Sequence, residues 1–396
     1  MQVTRPGHRL PCTGVSATVL STLAGLIVGI TLLAGQPVGP AQPGTTPSHS
    51  STIWQGVQEV RLEVGGEGMF SNDVRIGDVT ASGRIRRESW DVELQATRAD
   101  IGIDYRNAEV ADPLGSSASL HEARHALQGG VRLRPSRTTT LQVSGGGYDG
   151  YTDYRSLWLN EYYQQRFGPL EGYRVAQPRG WNASVGTRWA VRPGDRFLQG
   201  DLLWQQDVVA PAYEKFPFQP LIRRRDDLET RGVRLGGEAI LGRRLRGLME
   251  SQVLWTTERR PRLSLRPTLH WAMAESWVLK ASAGVTLERP RYASGSADVL
   301  LEHEWAEGWF GGLNGRYYHD NGQLNQSLPE STASPGLQTY QAAVVLRWQG
   351  ESWAFKALVG PYLNDYAAVP SRLNPFVHLY RDRSWIAAQV AVGRSF

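Results

Sequence analysis

The chain has 396 residues, 43 Lys+Arg against 38 Asp+Glu for a net charge of +5, and one cysteine, Cys12. The bases are interspersed with acids instead of forming a stripe, which excludes a nucleic-acid footprint, and a lone thiol excludes a disulfide framework or a cysteine-built metal centre. Trp outnumbers Phe, 14 to 9, a balance that a dry soluble core does not favour, because the indole N–H needs a polar partner that a membrane interface supplies.

Arg5, His8 and Arg9 precede an apolar run from Val15 to Ala34, and small residues follow as far as Ala41. This order predicts a cleaved secretory signal peptide over 1–41, although the length of the run also fits an uncleaved anchor helix. Residues 42–56, rich in Pro, Ser, Thr and Gly, predict a disordered periplasmic linker. No lipobox cysteine follows the apolar run. After Ala34 no stretch is long and apolar enough for a membrane helix, so a membrane-spanning 57–396 has to be a closed barrel, which leaves no unpaired backbone in lipid.

Residue alternation then dominates. From Trp181 to Arg192 one face carries Trp181, Ala183, Val185, Trp189 and Val191, and the other carries Asn182, Ser184, Arg188 and Arg192. Trp277 to Glu288 and Tyr340 to Trp348 repeat the arrangement. The aromatics within Trp181/Trp189 and within Tyr340/Trp348 are eight residues apart on one face. At ~3.3 Å per residue and a tilt near 40° that is roughly 20 Å of height, close to the apolar band between aromatic girdles. Soluble sandwich and propeller strands also alternate but average about five or six residues, whereas these run to about twelve.

A polar join followed by Trp recurs at Glu88-Ser89-Trp90, Glu275-Ser276-Trp277 and Glu351-Ser352-Trp353, with Arg383-Ser384-Trp385 read as a fourth copy. Short turns near 87–89, 135–137, 193–195, 243–246, 274–276, 306–308, 350–352 and 382–384 alternate with long connections at 108–119, 151–179, 211–228, 321–336 and 365–372. Short periplasmic turns and longer external loops are the habit of membrane barrels. Seventeen strand-like segments can be drawn from Val57 onward. Single-chain bacterial barrels have even counts, so one segment is surplus, and the weakest are 57–68 and the pair within 373–396. The expected fold is all-β, a transmembrane antiparallel up-and-down β-barrel of about 16 strands over 57–396, with 18 the next count.

The segment 57–396 resembles Gram-negative outer-membrane β-barrel proteins of the porin type, in architecture only. The last strand carries the nearest thing to a motif, with Ala388, Val390 and Val392 alternating toward the terminal Phe396. The resemblance implies that Phe396 belongs to the signal read by the barrel-assembly machinery. Arg394 departs from it, standing where such strands carry an apolar residue.

On the barrel expectation, Trp181, Trp189, Trp271, Trp277, Trp305, Trp309, Trp348 and Trp353 form the membrane girdle. Arg188, Glu238, Arg266, Lys280, Glu288, Arg316, Arg347 and Lys356 line the lumen by parity, together with Asp201, Arg234, Glu250, Glu302 and Glu304. Both signs appear, so no strong ion selectivity follows from the list; the same charges could instead pair across a closed interior. The loop 151–173 holds Tyr151, Tyr154, Trp158, Tyr162, Tyr163 and Phe167 after the fifth strand, with a short helix expected over 157–167. Its rings are candidates for saccharide contact at a constriction, or for packing against the rim.

Chemistry is sparsely signalled. His121-Glu122-Ala123-Arg124-His125 fits the H-E-x-x-H pattern, but that zinc chemistry needs a helix and a third ligand, and the surrounding residues alternate as a strand. His270, His303, His319 and His378 are scattered and no serine is marked out as a nucleophile. No enzyme activity and no cofactor or metal are expected. Arg223-Arg224-Arg225 offers a contact for lipopolysaccharide phosphate or is simply a solvated run. The expected function is passive passage of small hydrophilic solutes, with saccharides as candidates. The alternatives are exopolysaccharide export, and a plugged barrel with a surface-binding or rim enzymatic role. The partners that follow are outer-membrane lipids and lipopolysaccharide, the assembly machinery, and the solute.

Overall fold

A computed structural model describes residues 57–104, 119–151, 153–167, 175–209, 212–213, 227–257, 260–288, 292–322, 335–367 and 380–396. The segments expected to be the signal peptide and linker lie outside the described residues, as do Arg223, Arg224 and Arg225.

Sixteen long strands close on themselves. In chain order they are β1 (Val57–Phe70), β2 (Val74–Arg87), β3 (Trp90–Ile103), β4 (Leu120–Leu133) and β5 (Thr139–Asp149). A helix, α1 (Tyr154–Phe167), follows, then β6 (Arg179–Arg192), β7 (Arg196–Val208), β8 (Asp227–Gly242), β9 (Leu245–Thr256), β10 (Arg262–Ala272) and β11 (Trp277–Glu288). The last five are β12 (Tyr292–Ala306), β13 (Trp309–Asp320), β14 (Leu337–Gln349), β15 (Trp353–Tyr366) and β16 (Arg383–Ser395). Each pairs antiparallel with its chain neighbour, and β1 pairs with β16 from Arg61↔Ser395 to Phe70↔Ile386. A two-residue ladder joins Val175–Ala176 to Ala212–Tyr213 as a small sheet separate from the barrel sheet.

The expected barrel and strand number are therefore found, with two corrections of detail. The segment 57–68 is a true strand, and among the described residues 373–396 holds β16 alone and not a pair. Arg383-Ser384-Trp385 is accordingly not a fourth short turn. It begins β16 at the end of the barrel that carries the long loops, because β15 has already crossed once. Long-loop connections are also unequal: 71–73 between β1 and β2 spans only three residues.

The pattern of exposure explains why the strands close. The strands place large apolar side chains outward, among them Val64, Leu127, Val185, Leu235, Val299, Leu313, Val344 and Val390. A continuous apolar surface of this kind has no stable interface with water, whereas lipid accommodates it. Aromatics mark its edges. At the short-turn end Trp305, Trp309 and Trp348 sit 5.7 and 6.0 Å apart in sequence across β12–β14, and Trp277 stacks on His303 at 4.4 Å. Gly308 takes a φ of 72° in the two-residue turn below them, where any Cβ would strike the Gln349 carbonyl oxygen.

Arg394 faces outward at the same level, its guanidinium 5.0 Å from the Trp353 ring and 4.4 Å from that of Phe396. Stacking between two girdle rings lets the charge sit at the interface. Phe396 extends the closure: its N–H donates to the Val60 carbonyl at 2.8 Å, and Val60 N–H donates back at 3.3 Å.

Candidate solute pathway

Alternation sends the polar half of each strand inward. Arg188, Glu238, Arg266, Lys280, Glu288, Arg316, Arg347 and Lys356 all occupy inward positions, opposite in parity to the exposed Val185, Leu235, Leu265, Val285, Leu313, Val344 and Val359. Between them run hydroxyl pairs across strands, Thr80–Thr97 at 2.9 Å, Ser144–Ser184 at 2.7 Å and Ser264–Thr286 at 3.0 Å. All the predicted girdle tryptophans have outward parity: Trp181 lies toward the long-loop end and the other seven toward the short turns. Trp204 and Trp255 extend the long-loop belt and were missed by the sequence reading, although each shares the parity of exposed Leu202 or Met249 on its own strand.

The inward charges are grouped around acids. Glu302 takes Lys280 Nζ at 2.7 Å and Arg347 Nε at 3.1 Å; Glu238 takes Arg246 at 2.6 Å and Arg188 at 3.4 Å. Asp298 takes Arg316 at 2.5 Å, and Glu288 takes Arg262 at 3.4 Å. Arg266 donates to Ser282 Oγ at 3.4 Å. Asp91, absent from the predicted lining, holds Arg84 at 2.8 Å, Arg132 at 3.3 Å and Arg134. A burial this complete for an aspartate requires such partners, but a sequence shows charge and not depth.

These walls enclose space in both halves of the barrel. Toward the short turns, β2–β8 line a cavity of about 670 Å³. Toward the long loops, β10–β15 line one of about 520 Å³ with Ser264, Arg266, Ser296, Asp298, Arg316 and Gln341.

Helix α1 occupies part of the long-loop mouth. Asp153 caps it: its carboxylate accepts from Arg155 N–H at 3.1 Å and its carbonyl from Leu157 N–H at 3.2 Å. Tyr154, Leu157, Trp158 and Leu159 then pack with Val74, Ile101, Ile103, Tyr366 and Trp385 in one buried cluster. The partners belong to β2, β3, β15 and β16, so the helix lies inside the barrel against that arc of wall. Arg155 donates to Asp153 at 2.7 Å and to Tyr366 Oη at 3.2 Å. Arg383 spans the seam, 3.0 Å from Asp73 in the β1–β2 turn and 2.9 Å from Tyr154 Oη. Burial pushes the Tyr151 phenol up to about 12 and Tyr154 higher still. For Asp73 burial works upward, but the hydrogen bonds and charge of Arg383 outweigh it and hold the carboxyl below its ordinary value.

The aromatic loop is thus placed after the fifth strand and is helical, starting three residues earlier than expected. Its rings, however, are not laid out along an open track. Tyr151, Tyr154 and Trp158 are buried, and Tyr162 stacks on Trp158 at 5.5 Å. An apolar wall of Val74, Ile101 and Ile103 receives them, and their sequence could not say so. The side chains of Tyr163 and Phe167 lie outside the described residues.

His121 and His125 sit on the outer face of β4 with Glu122 on the inner face, roughly 13 Å apart at ~3.3 Å per strand residue. That separation does not build an H-E-x-x-H site; His125 instead lies 3.4 Å from Asp149. No group of three or more His, Cys, Asp or Glu suited to a metal occurs among the described residues.

No family model matches the chain, and no curated protein matches its sequence. Solved structures match in outline. A bacterial polysaccharide outer-membrane secretin aligns at 7% identity and a TM-score of 0.49, over 85% of this chain and 98% of that one. CdiB from Acinetobacter baumannii aligns at 13% identity and 0.49, over 85% of this chain but 60% of that one. OccAB4 from Acinetobacter baumannii aligns at 7% and 0.41, over 85% and 97%. The chain's own sixteen closed strands, apolar and aromatic-belted outside and charged inside, have the architecture of a membrane-spanning antiparallel β-barrel.

Proposed function

We propose that the protein is a passive channel for small hydrophilic solutes in the outer membrane of a Gram-negative bacterium, with α1 as a stationary constriction. The observation that carries this reading is open space in both halves of the lumen, mainly polar toward the short turns and mixed toward the long loops. Such walls are solvated and suit solutes that shed little water. Among the described residues the helix narrows the mouth on the β15–β3 side, and the solute takes the opposite arc. With Tyr151, Tyr154 and Trp158 buried, nothing favours an aromatic track for polysaccharide over this simpler role. The reading includes no chemical step and no cofactor. Lipids and lipopolysaccharide contact the outer face, and Phe396 engages the assembly machinery during biogenesis.

Planar-bilayer recording of the purified protein is the test. Stable single-channel steps are expected, and a variant lacking residues 154–167 should conduct more, because the mouth widens. A folded barrel that gives no steps, with or without the helix, would overturn the channel and leave a surface-binding barrel.

A further inference from the structure

The short-turn half of the lumen is not electrically even. Arg84, Arg86, Arg132, Arg134, Arg188 and Arg234 line the 670 Å³ cavity, against Asp91 and Glu93. Counted with every further charge that touches this group among the described residues, seven arginines meet five carboxylates: Arg246 joins the bases, and Glu59, Asp201 and Glu238 join the acids.

Depth matters more than the count. The side chains of Asp91 and Asp201 are 1% and 0% exposed, whereas those of Arg84, Arg132 and Arg234 are 33%, 40% and 38% exposed. The two acids lie in the wall and the guanidiniums stand over them. Asp201 is held by Arg234 Nε at 2.9 Å, by Gln199 Nε2 at 2.9 Å and by Gln142. Its place exists because residue 186, opposite it in register, is glycine: a Cβ there would collide with the Asp201 carboxylate. Arg84 Nε is buried with no acceptor among the described residues. Buried carboxylates therefore orient the array, and the cavity meets N–H donors. Glu59, Glu93 and Glu238 are the more accessible acids, and each already faces an arginine at 3.8, 3.4 and 3.4 Å.

We propose that this wall is a binding subsite for anionic solutes, in which planar guanidiniums engage phosphate, sulfate or carboxylate groups as they pass. Arginine's fork of donors matches those anions, and a partly enclosed cavity strengthens each contact. The volume lies within the ~300–1,000 Å³ of small-ligand sites. The proposal deepens the channel reading and rests on it for the route by which solute arrives.

Calorimetric titration of the full protein in neutral detergent would use tripolyphosphate, digalacturonate and maltose as probes, alongside reversal potentials across a potassium chloride gradient. Saturable binding of at least one anion and none of maltose is expected, weakening with salt. The anion that binds identifies whether phosphate or carboxylate is preferred. The double variant Arg86→Gln/Arg132→Gln should bind roughly tenfold more weakly, equal to ~1.4 kcal/mol, and Arg132→Lys, which keeps the charge but loses the planar fork, should bind more weakly than wild type and more tightly than Arg132→Gln. Folding is checked by the heat-dependent gel shift of a closed barrel. Should the double variant not fold, Arg86→Gln alone, at a more exposed arginine, gives the comparison. Conductance with no anion binding and no anion preference would overturn the subsite while the channel stands. Anion binding that falls in the variants, in a barrel that does not conduct, would sustain the subsite and overturn the channel. Equal binding by wild type and variants would place the anion elsewhere and overturn the assignment.

Discussion

Asp73 and Arg383 show what one pair contributes at the mouth. Both are largely buried, 12% and 8% exposed, and through Tyr154 they tie the β1–β2 turn, β16 and α1 together. Breaking a buried pair by removing one partner costs roughly 3 kcal/mol or more. Because Arg383 depresses the folded-state value of Asp73 below the ordinary 3.8, the pair's contribution is complete above that value and is lost as pH falls through the depressed one. Asp73→Asn should therefore expose the segment 150–178 to protease at neutral pH. Wild type should match it only under strong acidification, at a pH below 4. Proteolysis of both proteins across a pH series checks this; equal digestion at pH 7 would show that the pair does not hold the helix. The same scale shows what the residue list withheld. Asp201 and Glu250 both read as inward acids from parity, yet Asp201 is fully buried beneath Arg234 while Glu250 is exposed. Parity gives the face, and only the neighbours across the ladder give the depth.

For the strands, face decides the consequence of a substitution. Val344 stands midway between Tyr340 and Trp348 on the lipid side of β14, and Gln341 faces the lumen three residues away. An arginine at the bilayer midplane costs about 2–4 kcal/mol, and a lumen substitution far less. Val344→Arg should lower the stability of the barrel refolded into lipid vesicles by that amount, and Gln341→Arg by under 1 kcal/mol on the same scale. Reversible denaturant titration reads both, and equal losses would reassign one face. Strands of this kind were legible because period-two alternation is local, as β6, β11 and β14 illustrate. The helix was legible in outline, since 157–167 lacks alternation. Its destination was not: the residues that receive it, Val74, Ile101 and Trp385, are scattered over the chain.

At the scale of the molecule the barrel has no free edge, because β1 meets β16 over ten register pairs and Phe396 adds a reciprocal pair of hydrogen bonds with Val60. Removing 392–396 would unpair the start of β1 and expose backbone groups to lipid, each costing several kcal/mol. Such a truncation should fail to give the heat-dependent gel shift of a closed barrel, while Arg394→Ala, which loses only ring stacking, should retain it. A gel shift in the truncation would show that closure does not need this end. Alternation, strand length, aromatic spacing and the even-count rule were enough for the sequence by itself to determine a closed transmembrane barrel and the face of the charges from Arg188 onward, because these properties repeat along a single strand. The seat of α1, the single strand among the described residues of 373–396, and the burial of acids beneath arginines were decided only by tertiary structure. Each depends on which distant strands become neighbours when the sheet closes, and no local pattern encodes that.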